Sequence, residues 1–391
     1  MIDFSLTEEQ RTILDSAHKF VEKEVKPIAL QRDRSVDHRD CFQWDIVEKL
    51  SQIGFRTLAL DEKYGGPGAD TLTAAMVVEE LAVGDLWVSV IVAMQAKLVQ
   101  MIQWSVSEEI CRKFLIPFRD DDRFLLATCV TEPNTGSDIL AGGPSVRIAT
   151  TAVLDGNEWV INGVKQWSSC ASVARLYRVL VRTDQGNAYV LVPSDTPGFS
   201  VDHVHDKMGE RLCPNAGMAL NNVRVPKENL VHVLGGPDTP LTVRSRIMRS
   251  SNVYTAAANV GVARAAYEAA LEYAKLRVQG GKRIIEQQLI GTLLADMYVE
   301  IEAARLLYRK AAWEADHDAY YDPKLHAMAK VFSSEVAKRT TVRALEIHCG
   351  YGAMLELPME KYVRDAVSYS HSDGTNHGQR LKTATLLAAG A

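Results

Sequence analysis

Eleven residues near the C-terminus, Ser370-His371-Ser372-Asp373-Gly374-Thr375-Asn376-His377-Gly378-Gln379-Arg380, bring together an acid, two imidazoles, a guanidinium and a Gly-Thr turn signal. A carboxylate on a tight turn is the kind of group that removes a proton from carbon, which makes Asp373 the candidate base. The same residues also read as a polar loop near a helix end, with Asp373 as a turn residue.

Three further stretches have chemistry in them. The hydroxyls and free amides of Val130-Thr131-Glu132-Pro133-Asn134-Thr135-Gly136-Ser137-Asp138, at the end of a short apolar run, suit a flat heteroaromatic ring with carbonyls and ring nitrogens. A plain loop with a helix cap reads equally well. Gln166-Trp167-Ser168-Ser169 offers an indole to lie against a ring and hydroxyls beside it, although a lone Trp is more often core. In Arg277-Val278-Gln279-Gly280-Gly281-Lys282, glycines and cations at a helix C-terminus could meet a pyrophosphate. They could equally satisfy the helix dipole. No G-x-G-x-x-G follows a strand, which disfavours a Rossmann nicotinamide enzyme. No G-x-S-x-G elbow and no H-E-x-x-H occurs, and His371 and His377 are too isolated to suggest a metal.

These residues need elements to hold them. Thr7-Glu8-Glu9-Gln10 reads as a capping box, followed by apolar residues at helical spacing from Ile13 to Val25. Helices are expected around Trp44 to Ile53, over Thr71 to Met101 as one or two, and from Ser107 to Phe118. The texture then changes to short apolar runs: Phe124 to Val130, Thr150 to Leu154, Glu158 to Asn162, Tyr177 to Arg182, Ala188 to Pro193 and Met218 to Val225. Asp155-Gly156-Asn157 is a hairpin signal. After Gly235-Gly236-Pro237, period-3.6 patterns return in about four helices. The expected domains are therefore an N-terminal α-helical domain over 1–123, a middle antiparallel β domain over 124–233 and a C-terminal four-helix bundle over 234–391.

With 391 residues, 47% hydrophobic and 24% charged, the chain has the composition of a globular protein of two or three domains. A net charge of -5 and the lack of a basic run argue against a nucleic-acid surface. No apolar run suggests a bilayer span, and Met1-Ile2-Asp3-Phe4-Ser5 lacks the basic-then-apolar order of a secretory signal. The six cysteines are scattered, as reduced thiols would be. The expected location is the cytoplasm.

Val130–Asp138, Asn162–Ser169, Arg277–Gln288 and Tyr362–Arg380, in that order, resemble the acyl-CoA dehydrogenase superfamily of flavoproteins across essentially the whole chain. The resemblance implies FAD between the last two domains and a homotetramer. It implies that Val130, Thr131, Ser137, Trp167, Ser168, Ser169 and Thr375 face the flavin and substrate. By the same likeness, Arg277, Gln288 and Gly350 serve the diphosphate and adenosine part from a neighbouring subunit. Glu346 stands where the family usually has Gln, and Cys349 where it has Gly.

The family base is typically a Glu in Tyr-Glu-Gly-Thr, and here the run is Ser372-Asp373-Gly374-Thr375. Ser251 occupies the other family base position and cannot serve. The pattern Asp373-Gly374-Thr375-Asn376-His377-Gly378-Gln379-Arg380 resembles the nitroalkane oxidase branch, whose Asp has an Arg and a Ser as partners. Arg380 and Ser251 match those two. Gly142-Gly143-Pro144 adds to this likeness. It implies an Arg380 guanidinium beside Asp373, favouring and orienting the carboxylate. The implied reaction turns a nitroalkane, oxygen and water into an aldehyde or ketone, nitrite and hydrogen peroxide. The alternative is an acyl-CoA or acyl-carrier-protein dehydrogenase with Asp373 as base. The electron acceptor is then oxygen or an electron-transfer flavoprotein.

Overall fold

A computed structural model of the protein describes residues 5–37, 41–141, 147–234 and 241–389. Gly142-Gly143-Pro144 and Gly235-Gly236-Pro237 lie outside the described residues.

Helix α1 (Glu8–Phe20) opens on a reciprocal cap: the Thr7 hydroxyl accepts from Gln10 N, and the Gln10 side chain accepts from Thr7 N, each at 3.1 Å. The chain runs through a turn of wider π pitch into α2 (Lys26–Asp33), and α3 (Trp44–Gln52) follows. The long apolar stretch forms two helices, α4 (Thr71–Gly84) and α5 (Leu86–Gln103). They separate at Asp85, whose extended backbone (φ -161°) leaves its carboxylate to accept from Trp87 N and cap α5. By length and composition α5 is apolar enough to cross a membrane, contrary to the expectation from sequence. Almost all of it is buried inside the protein, however, so this apolar character belongs to a core helix. Helix α6 (Glu108–Asp120) starts at the Ser107 cap.

The middle region is one eight-stranded sheet. Its strands are β1 (Leu126–Cys129), β2 (Thr151–Asp155), β3 (Glu158–Ser168), β4 (Leu176–Thr183), β5 (Gly186–Pro193), β6 (Phe199–Val204), β7 (Ala216–Pro226) and β8 (Leu230–Leu234). The order is β6-β7-β3-β2-β4-β5-β8, with β1 beside β4. The β2–β3 hairpin turns at Gly156, where φ is +61°, a conformation that glycine adopts without strain. The sheet is mixed, which corrects the antiparallel expectation: β1 pairs with β4 in parallel, Leu126 opposite Leu176, and Thr151 meets Arg182 in the same sense. The loop and hairpin between β1 and β4 give the chain room for the crossover that parallel pairing requires.

Among the described residues, the helices that follow are α7 (Leu241–Leu276), α8 (Gln288–Asp316), α9 (Pro323–His348), α10 (Met359–Tyr369) and α11 (Asn376–Ala388). Helix α7 is alanine-rich on its inner side and crosses α4 closely. At the crossing, a Cβ on Gly261 would stand 2.3 Å from the Glu79 carbonyl oxygen. Buried Glu79 on α4 accepts from Arg264 of α7 (3.1 Å), Arg305 of α8 (2.8 Å) and the Tyr308 hydroxyl of α8 (2.5 Å). This clamp fastens the N-terminal helices to the bundle and fixes α5 against α7, with which it also packs.

Candidate active site

Asp373 sits on the turn between α10 and α11 with φ +50°, a left-handed conformation that costs a non-glycine residue energy. The turn is held from three sides. Buried Lys330 of α9 donates to Ser370 O (2.7 Å), Gly374 O (2.8 Å) and Asn376 Oδ1 (2.8 Å). Gln379 donates to Asp373 O (2.7 Å) and to Asn252 Oδ1 of α7 (3.2 Å). Thr375 caps α11 by accepting from Gly378 N, and its own N–H donates to Ser137 Oγ at 3.0 Å. Gly378 brings α11 so near the loop that a Cβ there would meet Ser137 Cβ at 3.2 Å.

The Asp373 carboxylate is gripped as firmly as its backbone. Lys97 Nζ of α5 donates to Oδ1 (2.8 Å) and Oδ2 (3.1 Å), and Thr255 Oγ1 of α7 donates to Oδ2 at 2.5 Å. Ser251, one turn earlier on α7, also favours the charged carboxylate. Burial pushes the carboxyl toward protonation, but the Lys97 ammonium and the Thr255 and Ser251 hydroxyls outweigh it and hold Asp373 below the usual range. Asp373 is therefore a carboxylate at neutral pH. Burial also pushes the Lys330 ammonium down to about 8, opposed by the charge of Asp373.

The expected partner is corrected here. Arg380 is not beside Asp373; it is exposed on α11 and pairs with Glu335 of α9 at 3.5 Å. Seven residues from Asp373, across a turn and into a helix, the side chain leaves on the outer face of α11. The cation that meets the base is Lys97, 276 positions away in sequence and absent from the sequence reading. The signal available was a lysine inside the apolar run of α5, since Lys is almost never fully buried unless paired. Lys330 carried a similar signal within the alanine-rich α9.

The second stretch lies at the sheet's end facing this turn. Gln166 N donates to Thr131 O at 2.9 Å, joining the loop after β1 to the end of β3. Trp167 stands there in a left-handed conformation (φ +57°) with 54% of its surface exposed, while Ser168 is buried and Ser169 half-buried. Beneath the loop, Glu132 accepts from Lys165 Nζ (2.8 Å), Ala149 N (2.7 Å) and Thr150 N (2.9 Å), and Lys165 also donates to Val130 O (3.1 Å). Thus Val130 contributes a carbonyl that is already used within the protein. An exposed indole beside hydroxyls from Thr131, Ser137, Ser168 and Ser169 is a donor set that fits a flat, carbonyl-bearing ring, so these residues suit a flavin.

The third stretch forms a separate groove of about 500 Å³, lined among others by Tyr273, Arg277, Gln279, His348, Gly350 and Tyr351. The Arg277 guanidinium lies 5.8 Å from the Tyr351 ring centre. Gln288 begins α8, just beyond the small hairpin of β9 (Val278–Gln279) and β10 (Lys282–Arg283). Cys349, in place of the usual Gly, takes φ +51°, the backbone region that favours Gly.

Family models describe the same layout. The N-terminal, middle and C-terminal domains of acyl-CoA dehydrogenase match residues 7–121, 127–223 and 243–387. A probable acyl-CoA dehydrogenase of Bacillus subtilis is 36% identical over 99% of this chain and 100% of its own length. The structure of butyryl-CoA dehydrogenase from Megasphaera elsdenii superposes with a TM-score of 0.90 at 32% identity, covering 99% of this chain and 100% of that one. A solved chain described with the electron transferring flavoprotein of Acidaminococcus fermentans superposes with a TM-score of 0.89 at 32% identity, covering 99% of each. With three domains in the family's order and a carboxylate held beside a flavin-shaped donor set, the chain belongs to the acyl-CoA dehydrogenase family and is an FAD-dependent oxidoreductase.

Proposed function

We propose that this protein dehydrogenates a short acyl thioester, carried on CoA or on an acyl carrier protein, with Asp373 taking the α-proton. The observation that carries this reading is the Asp373 carboxylate itself, fixed by Lys97 and Thr255 on the turn that Ser137 of the loop after β1 also contacts. The family's thioester-oxidising relatives support it.

Thr131, Ser137, Trp167, Ser168, Ser169 and Thr375 would hold the FAD ring. Arg277, Gln288 and Gly350 would serve the diphosphate and adenosine part in a homotetramer. The bound FAD supplies the acceptor for the hydride that leaves the β-carbon. The chain's own residues do the rest. Thr255 and Ser251 orient the Asp373 carboxylate, the left-handed turn aims it, and Lys330 keeps the turn from relaxing. Asp373 then takes the proton on a carboxylate oxygen. An electron-transfer flavoprotein is the proposed acceptor of the electrons.

A nitroalkane oxidase-like reaction is the second reading, favoured by the Ser251 hydroxyl's effect in holding Asp373 charged. Arg380, paired with Glu335 on the surface, does not support it. Anaerobic mixing of the yellow protein with butyryl-CoA, and separately with nitroethane, tests both. Bleaching of the flavin by the thioester is expected. Bleaching by nitroethane alone, with nitrite and peroxide on admission of air, would overturn the thioester reading.

A further inference from the structure

Just past Trp167, Ser168 and Ser169, at the end of β3, two thiols face each other. Cys170 Sγ and Cys213 Sγ stand 3.9 Å apart, and both cysteines are free and buried. Each lies on irregular backbone. Cys170 is in the turn after β3 with φ +58°, and Cys213 is in the loop between β6 and β7. That loop is pinned against the turn: the Asn215 side chain donates to Trp167 O at 2.9 Å, and Ser168 pairs with Ala216. The packing thus keeps the two sulfurs opposite each other on segments that shift more readily than strands do.

The two thiols are not equivalent. The Cys170 S–H favours a Cys213 thiolate against burial, and the Lys207 ammonium and the Ser169 hydroxyl add to this, holding Cys213 below the ordinary thiol range. Cys170, which gives its S–H to that thiolate and is itself buried, is pushed up. Lys207 also donates to Asn215 Oδ1 (2.8 Å) and Glu210 Oε2 (3.3 Å). Glu210 competes weakly for that cation, because burial pushes its carboxyl up to about 7. Proton removal by Asp373 uses neither thiol.

We propose that Cys170 and Cys213 form an oxidisable dithiol site that takes hydrogen peroxide and closes to a disulfide beside the flavin-facing turn. Cys213 gives up its proton, and its sulfur attacks one peroxide oxygen. An S–O bond forms, the O–O bond breaks, and the departing hydroxide takes that proton to leave as water. Cys213 is then a sulfenic acid. The Cys170 sulfur attacks the Cys213 sulfur. An S–S bond forms, the S–O bond breaks, and the second hydroxide leaves as water with the Cys170 proton. Two thiols are oxidised, and one peroxide is reduced to two waters. A disulfide closes at about 2.05 Å, so the turn must move toward the β6–β7 loop and carry Ser168 and Ser169 with it. This chemistry is independent of the thioester reading.

The test treats the FAD-loaded protein with hydrogen peroxide, unfolds it in N-ethylmaleimide and maps its peptides without reductant by mass spectrometry. A linked Cys170–Cys213 peptide pair is expected, with two of the six cysteines lost to alkylation and recovered after dithiothreitol. The flavin absorption band should shift as the link forms and return with the reductant. In Cys170→Ser, Cys213 should be trapped by dimedone as the sulfenic acid. In Cys213→Ser, Cys170 should stay open to alkylation. Wild-type mapping decides the matter even where a variant fails to fold. Full alkylation of both cysteines after peroxide, or oxidation confined to exposed Cys349, would overturn the proposal. A linked pair with an unmoved flavin band would overturn the coupling of the site to the flavin turn.

Discussion

Of the lysine–carboxylate pairs inside this protein, Lys97–Asp373 and Lys165–Glu132 each close at 2.8 Å. Their surroundings differ. Glu132 is 3% exposed and Lys165 not at all; the carboxylate takes two backbone N–H groups besides the ammonium, and the ammonium also reaches a carbonyl. That pair ties the loop after β1 to β3 and has little left to offer a ligand. Asp373 is 23% exposed, is held by the side chains of Lys97 and Thr255, and stands on a left-handed turn. A buried ion pair satisfied by backbone is a rivet. One satisfied by movable side chains and open on one side is a reactive group.

The largest effect should come from the open pair. Asp373→Asn keeps the shape and removes the base, so kcat on the best thioester should fall by about 10²–10⁴. Flavin content should stay near that of the wild type, while stability should drop because the buried Lys97 ammonium loses its counter-charge. A variant that retained activity within tenfold would mean that Asp373 is a turn residue after all.

The closed pair should break in stability and not in turnover. Lys165→Met leaves Glu132 as an uncompensated buried charge, and stability should drop by about 3–5 kcal/mol in chemical denaturation. The fraction still folded should turn over substrate at close to the wild-type kcat. Burial raises the Glu132 pKa, but Lys165 and Thr150 outweigh it and leave the carboxyl below its ordinary value. Its contribution is therefore present above pH about 4.3 and lost as acid carries the pH through the lower folded value. Lys165→Met should flatten that acid limb of the stability curve.

A smaller effect sharpens the contrast within the open pair. Thr255→Val deletes the 2.5 Å hydroxyl donor to Asp373 and leaves Lys97 in place. One hydrogen bond to a charged group separates the two proteins, so kcat should fall by about tenfold. The acidic limb of kcat/KM should move to higher pH, because a donor that favoured the carboxylate is gone. An unchanged pH profile would show that Thr255 does not touch the base in the working enzyme.

The elements were largely legible because their signals are local. The Thr7–Gln10 box, the 3.6-residue periodicity and the Asp155-Gly156-Asn157 turn each act over a few residues. Strands β6 and β8 were missed: β6 is short and mostly exposed, without the alternation that marks a half-buried strand. The parallel pairing of β1 with β4 depends on a crossover, which no local pattern encodes. At the site, Asp373 was legible from its motif, while Lys97 and Lys330 were not. Both reach the turn from other helices, and their partners are set by packing between α5, α9 and the α10–α11 turn.

The smallest effect concerns the residue that the motif promised and the fold moved away. Arg380 is 45% exposed in its side chain and reaches Glu335 at 3.5 Å, an exposed geometry worth about 0–1 kcal/mol. Arg380→Gln should therefore change stability by less than about 1 kcal/mol and leave kcat on a thioester nearly untouched. If the variant instead lost activity as severely as Asp373→Asn, α11 would have to rotate during turnover to bring the guanidinium onto the base. The likeness to nitroalkane oxidase would then hold in the working state. An unperturbed Arg380→Gln beside an impaired Lys97→Met would show that the ammonium on α5 has taken over the cationic place at the base. A motif of eight residues fixes which side chains are present, and the neighbouring helices decide which of them face inward.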